Sequence, residues 1–325
     1  MQRYCHNRGG PQRQKVNLHR RVFFIANPVA GGGAVRAIKK AESIIKNKGI
    51  DVHLKLTAKR GDAELFAREI SSGLTPNLIR GHSSQLIIVG GGDGTLNEVI
   101  NGVLSRYELL PTTTEKKGIL LAFLPLGITN VLAKELGIPE DVEKAIHLAL
   151  TGTPKKVSLG RINGKFFASM AGIGFDGEAV FGLNEKIKKI SGKGAHILSG
   201  INCLRRYNPP LIEVRTSEGI FTGYTAVVGK AGCYGGYFKV TPHASLTEPV
   251  LDLCLFKGRT RRDLIRFVIG VLRKRHLNFS DVFYEKFSEL EIFSRGEVHI
   301  QIDGEYFGTL PVKIDVVKDA VSLIW

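Results

Sequence analysis

Cysteine is scarce in this 325-residue sequence, and Cys5, Cys203, Cys233 and Cys254 lie far apart. With neither a CxxC pair nor an HExxH, a disulfide scaffold and a zinc site are not expected, and the usage fits a reducing cytoplasm. No apolar run reaches about 18 residues, so no membrane-spanning helix is expected. The first twenty residues contain no acidic side chain and no apolar h-region, so a secretory signal is not expected there. Arg3, Arg8, Arg13, Lys15 and Arg20 surround Gly9-Gly10-Pro11, and the segment reads as a flexible basic arm. No lysine precedes Ser or Thr, which removes Walker A chemistry. Aromatic residues make up 8%. No stacking platform or reading helix stands out among them, so nucleic acid is not an expected partner.

Positive charge is abundant. Lys and Arg number 46 against 30 Asp and Glu, a net charge of +16. Such a field favours an anionic partner, and among those that remain are anionic lipid and nucleotide phosphate. The length suits about two domains, and 43% apolar with 23% charged residues suits a globular chain.

From Val22 to Leu150 short apolar runs alternate with helical spacing. Strands are expected at Val22–Ile25, Val52–Thr57, Leu86–Val89 and Ile119–Phe123. Helices are expected at Ala34–Lys48, Asp62–Ile70, Thr95–Leu104, Thr129–Leu136 and Val142–Leu150. This order predicts a parallel α/β sheet. After Thr151-Gly152-Thr153-Pro154 most segments read as strands: Val157–Ile162, Lys165–Met170, Leu211–Arg215, Thr222–Val228, Val250–Phe256, Glu289–Phe293, Val298–Asp303 and Val312–Val317. Basic helical stretches near 185–206 and 260–276 interrupt them. The expected organisation is a basic arm (1–20), an α/β domain (21–153) and a β-rich domain (154–325) whose last strand is free to return to the first domain.

Three glycine-bearing loops follow expected strands and open expected helices. They are Asn27-Pro28-Val29-Ala30-Gly31-Gly32-Gly33, Gly90-Gly91-Gly92-Asp93-Gly94-Thr95 and Leu124-Pro125-Leu126-Gly127-Ile128-Thr129-Asn130. Glycine lets backbone amides approach a phosphate, and a helix N-terminus adds positive potential. In a parallel sheet all three loops fall at the carboxyl edge, where open α/β folds bind ligands. Thr129 or Asn130 equally suits an N-cap. Gly172-Ile173-Gly174-Phe175-Asp176-Gly177 matches GxGxxG but lacks an acidic residue near twenty positions on, and reads as a tight turn.

Several motifs together carry a resemblance. They are Asn27-Pro28 with Gly31; Gly91-Gly92-Asp93-Gly94-Thr95 with Asn97 and Glu98; and Pro125-Leu126-Gly127 with Asn130. To these add Gly174-Phe175-Asp176, Tyr234-Gly235-Gly236 and Asp303-Gly304-Glu305. In order and spacing, over about residues 22–317, they resemble the diacylglycerol kinase catalytic family, in particular its bacterial lipid kinase branch. Gly-Gly-Asp-Gly-Thr alone is shared with NAD kinases and phosphofructokinases; the whole set is more specific.

The resemblance implies an N-terminal α/β nucleotide domain and a C-terminal β-sandwich with the active site in the cleft between them. It implies transfer of the ATP γ-phosphate to a lipid hydroxyl with magnesium. Diacylglycerol is the first acceptor, in phospholipid biosynthesis. The implied nucleotide contacts are Asn27, Pro28, Val29, Ala30, Gly31, Thr57, Gly91, Gly92, Asp93, Gly94, Thr95, Leu96 and Asn97, with Thr129 beside them. The implied base lies in Asp303-Gly304-Glu305, with Glu305 at the usual position and Asp303 its neighbour. Asp93 is the residue for the nucleotide's magnesium. A further magnesium site falls on the Ser245 and Val250 carbonyls and Glu248. The sequence departs from the family at Ile128 (usually Thr), Val131 (usually Asp) and Glu248 (usually Asp), which Pro249 follows.

A carboxylate within reach of an alcohol helps take its proton during phosphoryl transfer. Asp303-Gly304 is also a favoured type I′ hairpin turn. Residues 257–276 alternate Lys257, Arg259, Arg261, Arg262, Arg266, Arg273, Lys274 and Arg275 with apolar side chains, and this segment is expected to meet an anionic membrane surface peripherally. The rivals are an NAD kinase-like enzyme, a sphingoid-base kinase and an inactive nucleotide-binding regulator. An undecaprenol-like acceptor and a homodimer stay open.

Overall fold

The computed structural model describes residues 21–72, 85–105, 118–186, 203–204, 207–233, 235 and 238–325. The basic arm, most of the helical stretch read near 185–206, and Tyr234 and Gly236 lie outside these residues. Strands β1 (Arg21–Ala26), β2 (Asp51–Leu56), β3 (Gln85–Gly91) and β4 (Ile119–Pro125) are parallel in the order β2-β1-β3-β4. The central strands are apolar throughout because both faces are covered. Phe23, Ile25, Ile87, Val89, Leu121 and Phe123 enter one core, and Val22, Phe24, Leu86, Ile88, Ala122 and Leu124 the other.

The helices are α1 (Ala34–Asn47), α2 (Asp62–Ser71), α3 (Asp93–Leu104), α4 (Val131–Leu136) and α5 (Val142–Thr151). Helices α2, α3 and α4 cover the first core through residues such as Ala67, Val99 and Leu132; α1 and α5 cover the second through Ile38, Ala41, Ile45 and Ile146. Neighbouring strands β1 and β3 thus send their chains to opposite faces. A crevice opens between them at the carboxyl edge.

The second half supplies β5 (Pro154–Ile162), β6 (Lys165–Phe167), β7 (Met170–Ile173), α6 (Phe175–Lys186), β8 (Ile212–Thr216), β9 (Gly219–Gly223) and β10 (Thr225–Gly229). After these come β11 (Leu251–Phe256), α7 (Arg261–Leu272), β12 (Val282–Phe287), β13 (Glu289–Ser294), β14 (His299–Ile302), β15 (Glu305–Thr309) and β16 (Val312–Ile324). Six of them form an antiparallel sheet, β12-β11-β10-β7-β14-β15. Its inner face packs on β5, β8, β13 and β16 through Ala171, Ile173, Val228, Leu253, Ile300, Val214, Ile292 and Ile314, which makes the β-sandwich.

Strand β16 runs through both halves. Its start pairs antiparallel with β5 and β13, and Ser322–Ile324 pair parallel with Leu120–Ala122 of β4. The parallel sheet and one sandwich layer are therefore one ten-stranded sheet.

Three local expectations change. The strand expected over 165–170 breaks into β6 and β7, because the intervening amides turn toward Asp303. The strand expected over 222–228 breaks at Tyr224, whose N–H donates to the Phe256 carbonyl. At the GxGxxG match a turn does form, at Gly174 with φ 86°, but it opens α6 at once. Strands β12 and β15 carry no apolar run and were not legible.

Candidate functional site

The three glycine loops meet in the crevice. The Asn27 N–H donates to the Gly90 carbonyl (2.8 Å), and Asn27 Oδ1 accepts from the Val29 N–H (3.0 Å). A Cβ on Gly31 would stand 2.6 Å from the Leu126 carbonyl oxygen, and one on Gly127 would stand 2.6 Å from Gly92 Cα. These glycines let backbone pack on backbone, so the first and second loops each close onto the third. Gly33 and Gly92 are the N-caps of α1 and α3, and no side chain caps either helix. Two helix N-termini therefore face the crevice, the geometry that receives phosphates. Thr57 follows β2 on the same edge, and its N–H donates to the Ala26 carbonyl. Pro28, Ala30 and Thr129 are half-buried, and Val29 and Ile128 are exposed. Leu96 is buried in the core, with its N–H bonded to the Gly92 carbonyl, so its part is packing.

The polar residues of the second loop each pin a neighbouring element. Asp93 accepts the Val131 N–H (3.0 Å) and the Leu132 N–H (3.1 Å) at the start of α4. Asp93 thereby does from across the crevice what a local N-cap does; Asn130 is the N-cap residue but caps with no side-chain bond. Because backbone amides make this contact, Val131 serves where the family usually has Asp. Glu98 accepts the Gly61 and Ala63 N–H groups at 2.9 and 3.2 Å, fixing the start of α2. Asn97 donates to the Phe166 carbonyl (3.0 Å) and to Asp303 (2.8 Å). Buried Asn101, one turn on, donates to Asn97 and to the Phe166 carbonyl and accepts the Phe166 N–H.

An Asp93→Ala chain is accordingly expected to melt slightly below the wild type while keeping its fold, because loss of a capping carboxylate costs about 0.5–2 kcal/mol. A melting temperature equal to the wild type's would exclude this role.

Asp303 and Gly304, at φ 48° and 87°, form the hairpin turn between β14 and β15. The Asp303 carboxylate accepts from Ala168 N (2.9 Å), Ser169 N (2.8 Å), Met170 N (3.0 Å) and Asn97 Nδ2 (2.8 Å). Burial pushes its carboxyl up, and these four donors oppose that push. They fill about all the lone pairs a carboxylate has, so Asp303 is built as a clamp. Glu305 is free by comparison. Its Oε1 lies 3.0 Å from the place of a Gly94 Cβ, and its Oε2 accepts from Arg60 Nη2 at 2.5 Å. Gln301 supports the turn: its Oε1 accepts the Gly304 N–H (2.7 Å), and its amide donates to Asp176 (2.5 Å). Sequence reasoning missed Arg60, Asn101 and Gln301. The i+4 spacing of Asn97 and Asn101 was a visible signal; nothing local marked the other two.

The Ser245 and Glu248 carbonyls do converge on one cation, but that cation is the ammonium of Lys230. The Glu248 side chain turns away to Lys286 Nζ at 2.7 Å, and that pairing holds its carboxyl below the usual range. Burial pushes the Lys230 ammonium down to about 8, against the attraction of Asp252 and Glu248. This arrangement does not fit a metal ion held by the Glu248 side chain with the Ser245 and Val250 carbonyls.

Comparison with known proteins accounts for nearly all the described chain. Residues 21–162 match the diacylglycerol kinase catalytic domain, and residues 169–325 match the YegS C-terminal NAD kinase beta sandwich-like domain. The two matches together span most of the chain, and its first half carries the diacylglycerol kinase catalytic domain. The diacylglycerol kinase of Bacillus subtilis (strain 168) is 29% identical over 296 residues, 90% of this chain and 92% of that one. That of Staphylococcus carnosus (strain TM300) is 25% identical over 309 residues, 94% and 95% of the two chains. A crystal structure described as a diacylglycerol kinase of Bacillus anthracis str. Sterne superposes with a TM-score of 0.66 at 20% identity, covering 94% of this chain and 97% of the other. That likeness extends to the fold.

Proposed function

We propose that this protein is an ATP-dependent lipid kinase that transfers the γ-phosphate to a lipid hydroxyl, with diacylglycerol as the acceptor and phosphatidic acid as the product. The observation that carries the reading is the meeting of Glu305 with Gly94. It sets a carboxylate from the sandwich against the loop whose helix N-terminus suits a phosphate. In this reading the α1 and α3 N-termini and the loops at Asn27–Gly31, Thr57, Gly91–Asn97 and Thr129 hold the nucleotide. Glu305 accepts the proton of the attacking hydroxyl. Arg60 orients Glu305 and adds positive charge beside the transferring group. Magnesium carried by the nucleotide supplies neutralisation of phosphate charge. Asp93 retains about one lone pair on each oxygen with which to meet it. The names of the bacterial relatives support the acceptor.

Labelled ATP offered with diacylglycerol, a sphingoid base, an undecaprenol-like alcohol and NAD tests this. Label in the diacylglycerol product is expected. Label in NAD alone would favour the NAD kinase-like alternative, which the description of the C-terminal match makes the second reading.

The acceptor sits in a bilayer, and no helix among the described residues is long and apolar enough to cross one. We place the membrane contact on α7. Ile265, Val268, Ile269 and Leu272 are exposed on it. Arg262, Arg266, Arg273 and Arg275 rim a groove of about 410 Å³ floored by Ile265, Ile269, Gly270 and Phe279. Arg266 is already paired with Asp281 and stacked on Phe279, so the others are the available charges. Replacing Arg262, Arg273 and Arg275 by Ser is expected to weaken sedimentation with anionic vesicles at low salt and to spare activity on detergent-dispersed lipid. Each basic residue near such a surface contributes about 1 kcal/mol, so the loss should be near 100-fold in partitioning. Equal binding to neutral vesicles would reject this face.

A further inference from the structure

Lys230 is among the largest fully buried side chains of the protein. It stands just past β10, and its ammonium donates to the Ser245 carbonyl and, at 2.6 Å, to the Glu248 carbonyl. Gly229 is the register partner of Asp252 on β11, which brings that buried carboxylate beside the lysine. Asp252 accepts from the Tyr284 hydroxyl at 2.5 Å on one oxygen, and its other oxygen has no hydrogen-bond partner. Lys286, opposite Asp252 in the next strand, holds the Glu248 side chain. The pocket therefore contains two cations and two anions and is balanced without an added ion. Its carbonyls are of the kind that a hard cation takes.

The cage is also coupled to the clamp. The Lys230 N–H donates to the Ser169 carbonyl (2.8 Å), as does Ala231 N–H (3.0 Å), and the Ser169 N–H is held by Asp303. Gly232 and Cys233 then donate to Glu135 of α4 at 3.2 and 3.0 Å. One strand end thus links the 241–250 loop, the Asp303 turn and α4.

We infer that the Lys230 ammonium is the resident cation of the 245–250 loop and replaces a divalent metal ion there. A covalently attached cation stays when metal is withdrawn, so the order of this loop does not depend on magnesium. The inference stands apart from the kinase reading, because it concerns cation occupancy and not transfer.

The test uses the full chain without nucleotide. Crystals grown with manganese are expected to show no anomalous peak between the Ser245 and Glu248 carbonyls, and the melting temperature is expected to be the same in EDTA as in millimolar magnesium. A manganese peak at that position would overturn the inference, as would a melting temperature that falls on chelation. Lys230→Met keeps the length of the side chain and removes its charge. It leaves two carbonyls unpaired and the pocket one positive charge short, so melting is expected to drop by roughly 4–7 °C. A Lys230→Met chain melting with the wild type would show that the ammonium holds nothing. Should that variant fail to fold, the wild-type crystals decide alone.

Discussion

Replacing Glu305 by Gln is expected to lower turnover by roughly 10²–10⁴-fold, the range for loss of a general base, while the melting temperature stays near wild type. The reason for the split lies in its surroundings. Glu305 is on β15, an edge strand, and among the described residues it pairs with Arg60, whose side chain is 72% exposed. Exposed ion pairs contribute little to stability. Gln keeps the shape and still accepts a hydrogen bond from Arg60, but it cannot take a proton from an alcohol. Nucleotide affinity is expected to change little, because the loops proposed to hold the phosphates are closed by Gly31, Gly92 and Gly127 and pinned by Asp93, and these contacts do not involve Glu305. Initial rates on diacylglycerol together with nucleotide titration make the measurement. Unaltered turnover would remove Glu305 from the chemistry.

How much of this was legible in the sequence differs from element to element. The apolar runs at 22–25, 86–89 and 119–123 sit within strands buried on both faces, and the glycine loops after them lie on one edge, because strand burial and loop position are local properties. The family resemblance added the order of the motifs. What sequence could not give was who holds whom. The resemblance offered Asp93 as a ligand of the nucleotide's magnesium, but nothing in the sequence showed that it also caps α4 from 38 residues away. Arg60 meets Glu305 across 245 residues. Lys230, inside a nearly featureless Val-Gly-Lys-Ala-Gly stretch, proves to be the cation under the 245–250 loop. The Arg60–Glu305 contact depends on the two halves folding against each other, and the other two join loops within one half; no spacing along the chain encodes those distances.

Asp303 provides the opposite signature to Glu305. In the Asp303→Asn chain one carboxylate oxygen becomes an NH₂ group facing two donors. If Oδ1 is replaced, the amide confronts the Ser169 and Met170 N–H groups; if Oδ2 is replaced, it confronts Ala168 N–H and the Asn97 amide. Either way two hydrogen bonds to a charged acceptor are lost and buried donors are left unmatched, a penalty of about 3–5 kcal/mol. At about 1.5 °C per kcal/mol for a chain of this length this lowers melting by roughly 4–7 °C. Activity should fall too, because Asp303 joins α3 of the first half, through Asn97, to the β6–β7 break of the sandwich. That junction sets where Glu305 stands relative to Gly94. Asn97→Ala removes one of the four donors and is expected to show a smaller drop of the same kind, and the double variant should fall short of the sum because the two side chains share a bond. An Asp303→Asn chain that melts with the wild type yet has no turnover, beside an active Glu305→Gln, would move the base to Asp303 and overturn the clamp.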